Sequence, residues 1–344
     1  MESINRKSVS TILLAILKQK NAENNKIEDK NVDDGGFEAE HLFFRGESKY
    51  FPLKTPSLYL ERKLVKHGSE YYYRTLLNEL GRDDYEGNTS LVRLLSELQH
   101  YGAKTRMLDI TKSPLIALYF AVEKDDEEPG FLYIYHTNSN EEKFDTGHTV
   151  AIKSALNLID NEVINDFLES CSILQNSEYK IFSTLKAKTQ QEIIDTYSKK
   201  YKIGNKINKF MELLNQRARV RERLKYPIQI FCDLDKAHII IPSKSTDRIR
   251  QQQGAFIFPK YVNTRDKSLE DIQIEIDKSI QNLNATLTTF NYNKKRKKNE
   301  EVKFSCIKIE GKDKKNIRVE LEQLGITAGY IYPDIEHQSI ALLK

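Results

Sequence analysis

The sequence predicts an α+β fold in which a small mixed or antiparallel sheet is packed by helices and interrupted by a helical insertion. Three observations predict it. Short runs rich in aromatic and β-branched residues, His41–Gly46, Gly130–Tyr135, Ile239–Pro242 and Gly254–Pro259, lie far apart in the chain and read as strands. Elsewhere apolar residues recur at i, i+3, i+4 spacing, as in Leu91, Leu94, Leu95 and Leu98, the pattern of one buried helix face. From Val150 to about Leu224 that helical pattern is continuous, through Val163, Ile164, Phe167 and Leu168, then Ile193, Ile194 and Tyr197, then Ile207, Phe210, Met211 and Leu214.

Taken in order, Val9, Ile12, Leu13, Ile16 and Leu17 behind Ser8 predict an amphipathic helix. The polar stretch 21–36, ending in Gly35-Gly36, reads as a solvated connector. Residues 1–36 are thus an N-terminal helix and connector, and 37–344 form one elaborated domain with 150–224 as its helical insertion. His41–Gly46 is a strand whose end presents Arg45, and the prolines of Ser48–Pro56 keep the next segment extended. Helices follow over Glu70–Leu80 and Leu91–Leu98. After a polar turn, Gly102–Ser113, Ser113 caps a helix with Pro114 at its first position, and Leu115, Leu118, Tyr119 and Val122 form its buried face. An acidic loop, Glu123–Pro129, leads into the strand at Gly130. Further strands are expected at Ile228–Cys232 and Phe304–Ile309, a mobile surface loop at Asn293–Glu301, and a last helix through Ile317, Leu321 and Leu324 closed by Gly325.

A chain of 344 residues has ample length to bury a core. Lys+Arg 54 against Asp+Glu 50 leaves a net charge of only +4, which neither demands nor excludes nucleic acid. The three cysteines are isolated and lack CxxC spacing, so neither a disulfide framework nor a thiolate metal site is expected, and a reducing cytoplasm fits. The apolar run Ile12–Leu17 is too short to span a bilayer, so the chain reads as soluble, with no membrane partner. Walker, GxGxxG, HExxH and GxSxG motifs are absent, which takes weight from the common nucleotide enzymes. His238, entering an apolar strand, reads as structural.

The chemistry-bearing residues concentrate in two places. Arg45 precedes Gly46, whose missing side chain admits a backbone or a ligand, and Glu47 offers it a charge partner. Arg45 either forms a salt bridge to Glu47 or Asp109, or holds a phosphate or ribose, and the two are compatible. The second cluster joins Thr105, Arg106, Asp109 and Thr111. Thr111 with Ser113 lies at a helix N-terminus that favours an anion, or else Asp109 and Thr111 organise only the turn and cap. Gln251-Gln-Gln253 offers amides to a base or ribose, or is surface filler. Lys294-Lys-Arg-Lys-Lys298 attracts nucleic acid or is a solvated loop, and Tyr71-Tyr-Tyr73 stacks bases or packs a helix. The tract 150–224 offers a surface for a protein partner.

Phe44-Arg45-Gly46 together with Leu98-Gln-His-Tyr-Gly-Ala-Lys-Thr-Arg-Met-Leu-Asp-Ile-Thr-Lys-Ser-Pro-Leu-Ile-Ala-Leu-Tyr-Phe-Ala121 resembles the FRG domain, which takes its name from Phe-Arg-Gly and occurs in bacterial and phage-associated proteins. Gln253-Gly254-Ala-Phe256 and Tyr332-Pro-Asp334 resemble its later blocks, so the similarity spans roughly Phe37 to Leu343. A fainter resemblance is to Arg-Ser-Glu ADP-ribosyltransferases. There an aromatic-Arg-Gly strand is followed by a Ser-Thr-Ser strand, an Ala-x-x-Phe-Ala helix and a Glu-bearing strand. Arg45, then Asp109-Ile-Thr111 with Ala117-Leu-Tyr-Phe-Ala121, then Gln253 occupy that order here. The resemblance implies an ADP-ribosyltransferase-like core with NAD as substrate, ADP-ribose transfer or glycosidic cleavage, and a role as a bacterial defence effector. Arg45, Asp109 and Gln253 would be catalytic, and Gly46, Glu47, His100, Thr105, Arg106 and Thr111 substrate-binding. Gln lacks the charge of the expected Glu, so Asp109 or Glu47 must substitute, or the cleft recognises a nucleotide, nucleic acid or protein without catalysis.

Overall fold

The computed structural model describes residues 3–17, 40–81, 90–138, 141–175, 187–293, 295–335, 338–339 and 343. Its strands are β1 (Ser3–Asn5), β2 (Glu40–Glu47), β3 (Leu108–Thr111), β4 (Gly130–Asn138), β5 (Lys143–Phe144), β6 (His238–Ile241), β7 (Gly254–Phe258), β8 (Leu287–Asn293), β9 (Lys298–Phe304) and β10 (Cys306–Ile309). Eight of them form one sheet in the order β1-β10-β4-β2-β3-β7-β6-β5, and β8 and β9 pair separately. The sheet is mixed: β1 with β10 and β5 with β6 are parallel, the other neighbours antiparallel. With eight strands it is larger than the small sheet expected, and the α+β class holds.

The helices are α1 (9–17), α2 (Arg62–His67), α3 (Glu70–Glu79), α4 (Leu91–His100), α5 (Pro114–Val122), α6 (His148–Ala155), α7 (Asn161–Gln175), α8 (Ala187–Tyr201), α9 (Gly204–Arg217), α10 (Pro227–Leu234), α11 (Asp247–Gln251), α12 (Leu269–Gln281), α13 (Gly311–Gln323) and α14 (Ala328–Ile331). Successive strand residues point to opposite faces. Phe43, Tyr133 and Tyr135 therefore enter one core, and Phe44, Leu132 and Ile134 the other. The larger core is filled from α2 to α4, α6 to α10 and α12, and the smaller from α1, α5 and α13. The helical tract shares the core of the sheet: Phe167 stacks on Phe210 at 3.8 Å between centroids, in the same cluster as Phe256 and Ile257.

Several elements differ from expectation. Ile228–Cys232 is not a strand but lies in α10, because Pro227 starts a helix and Ile228/Phe231 and Ile230/Leu234 share its buried face. Of the segment expected as a mobile surface loop, Asn293 and Lys298–Glu301 lie in paired strands, since Leu287–Asn293 pairs with Lys298–Phe304 along its whole length, and Lys294 lies outside the described residues. A bend at Ser305 splits the predicted Phe304–Ile309 strand. At the N-terminus Ser3–Asn5 pairs with Cys306–Lys308, and Val9, Ile12 and Ile16 are buried in the smaller core, so this segment is part of the packed body although its start was expected near Phe37. The connector 21–36 lies outside the described residues.

Two features of this fold shape a cleft. The first is the close seat of α5, whose N-terminus is capped as expected, with Ser113 Oγ accepting from the Ile116 N–H. A Cβ placed on Gly46 would stand 1.8 Å from the Ala117 carbonyl oxygen, and one on Gly130 2.1 Å from that of Ala121. Helix backbone thus rests directly on β2 and β4, and Gly46 serves this contact. The second is a seam: β2 pairs with β4 from Glu40 to Glu47 and β3 with β7 from Leu108 to Thr111, whereas β2 meets β3 only at Phe44–Thr111. Past Phe44 the two strands part.

Candidate functional site

The seam opens into a cleft of about 290 Å³. Arg45, Gly46 and Glu47 of β2 form one side, with Asp109 and Thr111 of β3 beside them. Gln99 and His100 enter from α4, Phe120 and Glu123 from the end of α5, and Arg248 and Gln252 from α11 and its C-terminal turn. Six of the nine residues expected from the sequence therefore line one cavity.

Arg45 spans the seam. Its Nε donates to Glu47 Oε1 at 2.9 Å and its Nη1 to the Asp109 carbonyl at 2.9 Å, replacing a ladder bond that the parted strands cannot make. Glu47 is buried and also pairs with Lys54 Nζ at 3.1 Å, while Lys54 donates to the Phe51 carbonyl and lies 4.3 Å from the centre of the Tyr133 ring. Burial opposes the charge of Arg45, but Glu47, Tyr135 and Asp109 outweigh it and hold the guanidinium above its usual pKa. Of the two salt-bridge partners foreseen for Arg45, the structure selects Glu47; Asp109 contributes its backbone.

The Asp109 carboxylate accepts from Gln99 Nε2 at 2.8 Å, and Gln99 Oε1 in turn accepts from Thr105 Oγ1 at 2.5 Å. Thr105 thereby sets which end of the amide faces Asp109. The residue is open to the cleft, yet the protein around it desolvates the carboxylate and pushes its pKa up against the opposing pull of Arg45, Gln99 and Arg248. Thr111 Oγ1 donates to the Gln252 carbonyl at 2.6 Å and accepts from the Ser113 N–H at 3.0 Å, so this hydroxyl and the Ser113 and Ile116 amides serve the chain itself rather than an anion.

Three expected site residues lie outside the cleft. Thr105 is wholly buried and acts only through Gln99. Arg106 is 5 % exposed in the larger core, where Nη1 donates to Ser69 Oγ at 2.7 Å and to Asn157 Oδ1, and Nη2 to the Tyr261 hydroxyl at 3.0 Å. Burial lowers its pKa and the surrounding tyrosines Tyr261, Tyr59 and Tyr73 raise it to a net increase, so it stays a cation held by neutral groups. Gln253 is exposed: α11 ends at Gln251, and Gln253 takes a left-handed φ of 47° to enter β7, which puts Gln252 on the cleft instead. Among the described residues no group of His, Cys, Asp and Glu is fit to hold a metal ion, and no helix is long and apolar enough to cross a membrane.

Residues 40–129 match the family model of the FRG domain. The chain carries an FRG domain. The match is narrower than the span over which the sequence blocks resemble the family, and no curated protein or solved structure matches the chain. The FRG domain supplies β2, α4, β3 and α5, hence Arg45, Glu47, Gln99, His100, Asp109 and Glu123. The wall formed by α11 and β7 comes from beyond the matched FRG span, and there sequence reasoning missed Arg248, whose Nη1 donates to His100 Nδ1 at 2.5 Å. Its signal was present in Arg248-Ile-Arg, three residues before the Gln run, but only the packing of α11 against the FRG domain singles out the first arginine. Lys54, behind Glu47, gave no sequence signal beyond its proline-rich segment.

Proposed function

We propose that the cleft binds NAD or a related nucleotide and acts on its N-glycosidic bond, transferring ADP-ribose or hydrolysing the bond with release of nicotinamide. The observation that carries this reading is convergence: Arg45 and Thr111, from the first two blocks of the transferase resemblance, come from the neighbouring strands β2 and β3 and line one cleft, with Gln252 at the entry to the next strand, β7, in place of the Gln253 expected from the third block. Arg45 would hold a phosphate or ribose hydroxyls. Asp109 would supply the carboxylate that Gln cannot, holding a ribose hydroxyl and stabilising positive charge on the sugar as the bond breaks. The raised pKa of Asp109 means that activity should increase with pH above the ordinary carboxylate range, as the group ionises. A cleft of about 290 Å³ is at the small end of ligand pockets and suits the sugar and phosphates of a nucleotide rather than a whole dinucleotide.

The test is incubation of the pure protein with NAD, with mass spectrometry for free nicotinamide and for ADP-ribose on protein, beside a calorimetric titration. Release that is lost in Asp109→Asn supports the reading; no binding and no release would end it.

A second reading, recognition without catalysis, is favoured by one observation. The Gln252 amide donates to the Ile331 carbonyl at 3.0 Å and Gln253 faces outward, so neither provides a carboxylate or a free amide at the entry to β7. NAD bound in the cleft without nicotinamide release would select this reading, with the protein acting as a sensor in bacterial defence.

A further inference from the structure

The cleft contains a cation to which the reading above gives no role. Arg248 projects from α11, its Nη1 donating to His100 Nδ1 at 2.5 Å and its guanidinium lying 5.2 Å from the centre of the Tyr332 ring. Because a guanidinium only donates, His100 must present a bare Nδ1 and is neutral in this arrangement. Tyr332 is itself fixed, its hydroxyl donating to Glu123 Oε2 at 2.9 Å and its ring meeting Phe120 at 6.3 Å. The orienting contacts of Arg248 are thus with neutral groups. Among the described residues no carboxylate lies within ion-pair distance of it, whereas Arg45 and Lys54 share Glu47 at 2.9 and 3.1 Å. Asp109 feels the field of Arg248 but accepts its hydrogen bond from Gln99. A guanidinium held in place on a cleft wall, with no close counter-charge, gains most from an incoming anion.

We infer that Arg248 is a second anion-binding residue of this cleft, so that the ligand carries a diphosphate, one phosphate on Arg45 and the other on Arg248. This deepens the nucleotide reading, on which it rests, and narrows the ligand to nucleoside diphosphates and their esters over nucleosides and monophosphates.

Calorimetric titration of the full chain with ADP-ribose, and separately with inorganic pyrophosphate, tests it in wild type, Arg248→Gln and Arg248→Lys. Loss of the charged fork should weaken both ligands on the order of 10- to 100-fold in Arg248→Gln. Arg248→Lys, which keeps the charge and serves if Arg248→Gln fails to fold, should bind several-fold more weakly than wild type. ADP-ribose binding that is unchanged in the folded variants, or wild type that binds neither probe, would overturn the inference. Arg248-dependent binding of pyrophosphate without binding of ADP-ribose would sustain the anion site and defeat the nucleotide reading.

Discussion

Arg45 lies in the seam between β2 and β3 with the cleft in front of it, while Arg106, two residues from the start of β3, is sealed in the larger core among Ser69, Asn157 and Tyr261. Both are arginines of the FRG domain, both are desolvated, and both keep their charge. What separates them is the backbone around them. Arg45 bonds one carboxylate and one carbonyl and still borders open space; Arg106 commits its two terminal nitrogens to three side chains and is not among the residues that line the cleft. The space beside a motif arginine, as much as its charge, decides what it can do.

The sharpest break of this comparison is Arg106→Met. It leaves Ser69, Asn157 and Tyr261 buried without their donor and should cost about 4 kcal/mol in urea unfolding, with nucleotide affinity of the folded protein unchanged. A variant of wild-type stability would show that Arg106 does not hold the core together. Asp109→Asn should slow nicotinamide release by 10²- to 10³-fold, about 3 kcal/mol in the barrier, at nearly constant melting temperature. If release persisted, another group would carry the carboxylate role. Arg45→Gln should weaken ADP-ribose by roughly tenfold or more, about 2 kcal/mol, and make the cleft more negative, with Lys54 left as the ion partner of Glu47. Unaltered affinity would move the ligand away from the seam.

A pH series separates the stability of the packed body from binding in the cleft. Burial, with Lys153 nearby, pushes the His238 imidazole down to about 3 from its usual 6.5. The unfolded chain therefore binds the extra proton first, and stability should be greatest above about 6.5 and fall steadily toward about 3. His238→Asn should flatten that limb in chemical unfolding measured across pH and leave ligand binding alone, and a limb that survives the change belongs to other groups. The smallest effect is expected of Gln253→Ala, within about 0.5 kcal/mol in stability and without effect on binding, because the side chain is exposed outside the cleft.

Local signals made much of this legible. Aromatic runs mark β2 and β4, Ser113-Pro114 marks the start of α5, and the motif residues Arg45, Glu47, His100 and Asp109 line the cleft. The misreadings share a cause, since each turned on a contact remote in sequence. Ile228–Cys232 has strand-like residues, but the core rewards the helical face of Ile228, Phe231 and Leu234. Gln252 and Gln253 are indistinguishable in composition, and one left-handed residue decides which of them meets the cleft. Arg106 sits beside Asp109 in the motif, yet its partners come from Ser69, Asn157 and Tyr261, which nothing local connects to it. Arg248 became visible only when α11 was placed against His100.

The most direct test of the central claim, that the β2–β3 seam is where a nucleotide binds, is a crystal structure of the protein grown with ADP-ribose. The account predicts a phosphate within hydrogen-bond distance of the Arg45 guanidinium, the second phosphate on Arg248, and a ribose hydroxyl against Asp109. ADP-ribose bound at another surface, with the seam empty and Arg45 still closed on Glu47, would contradict it.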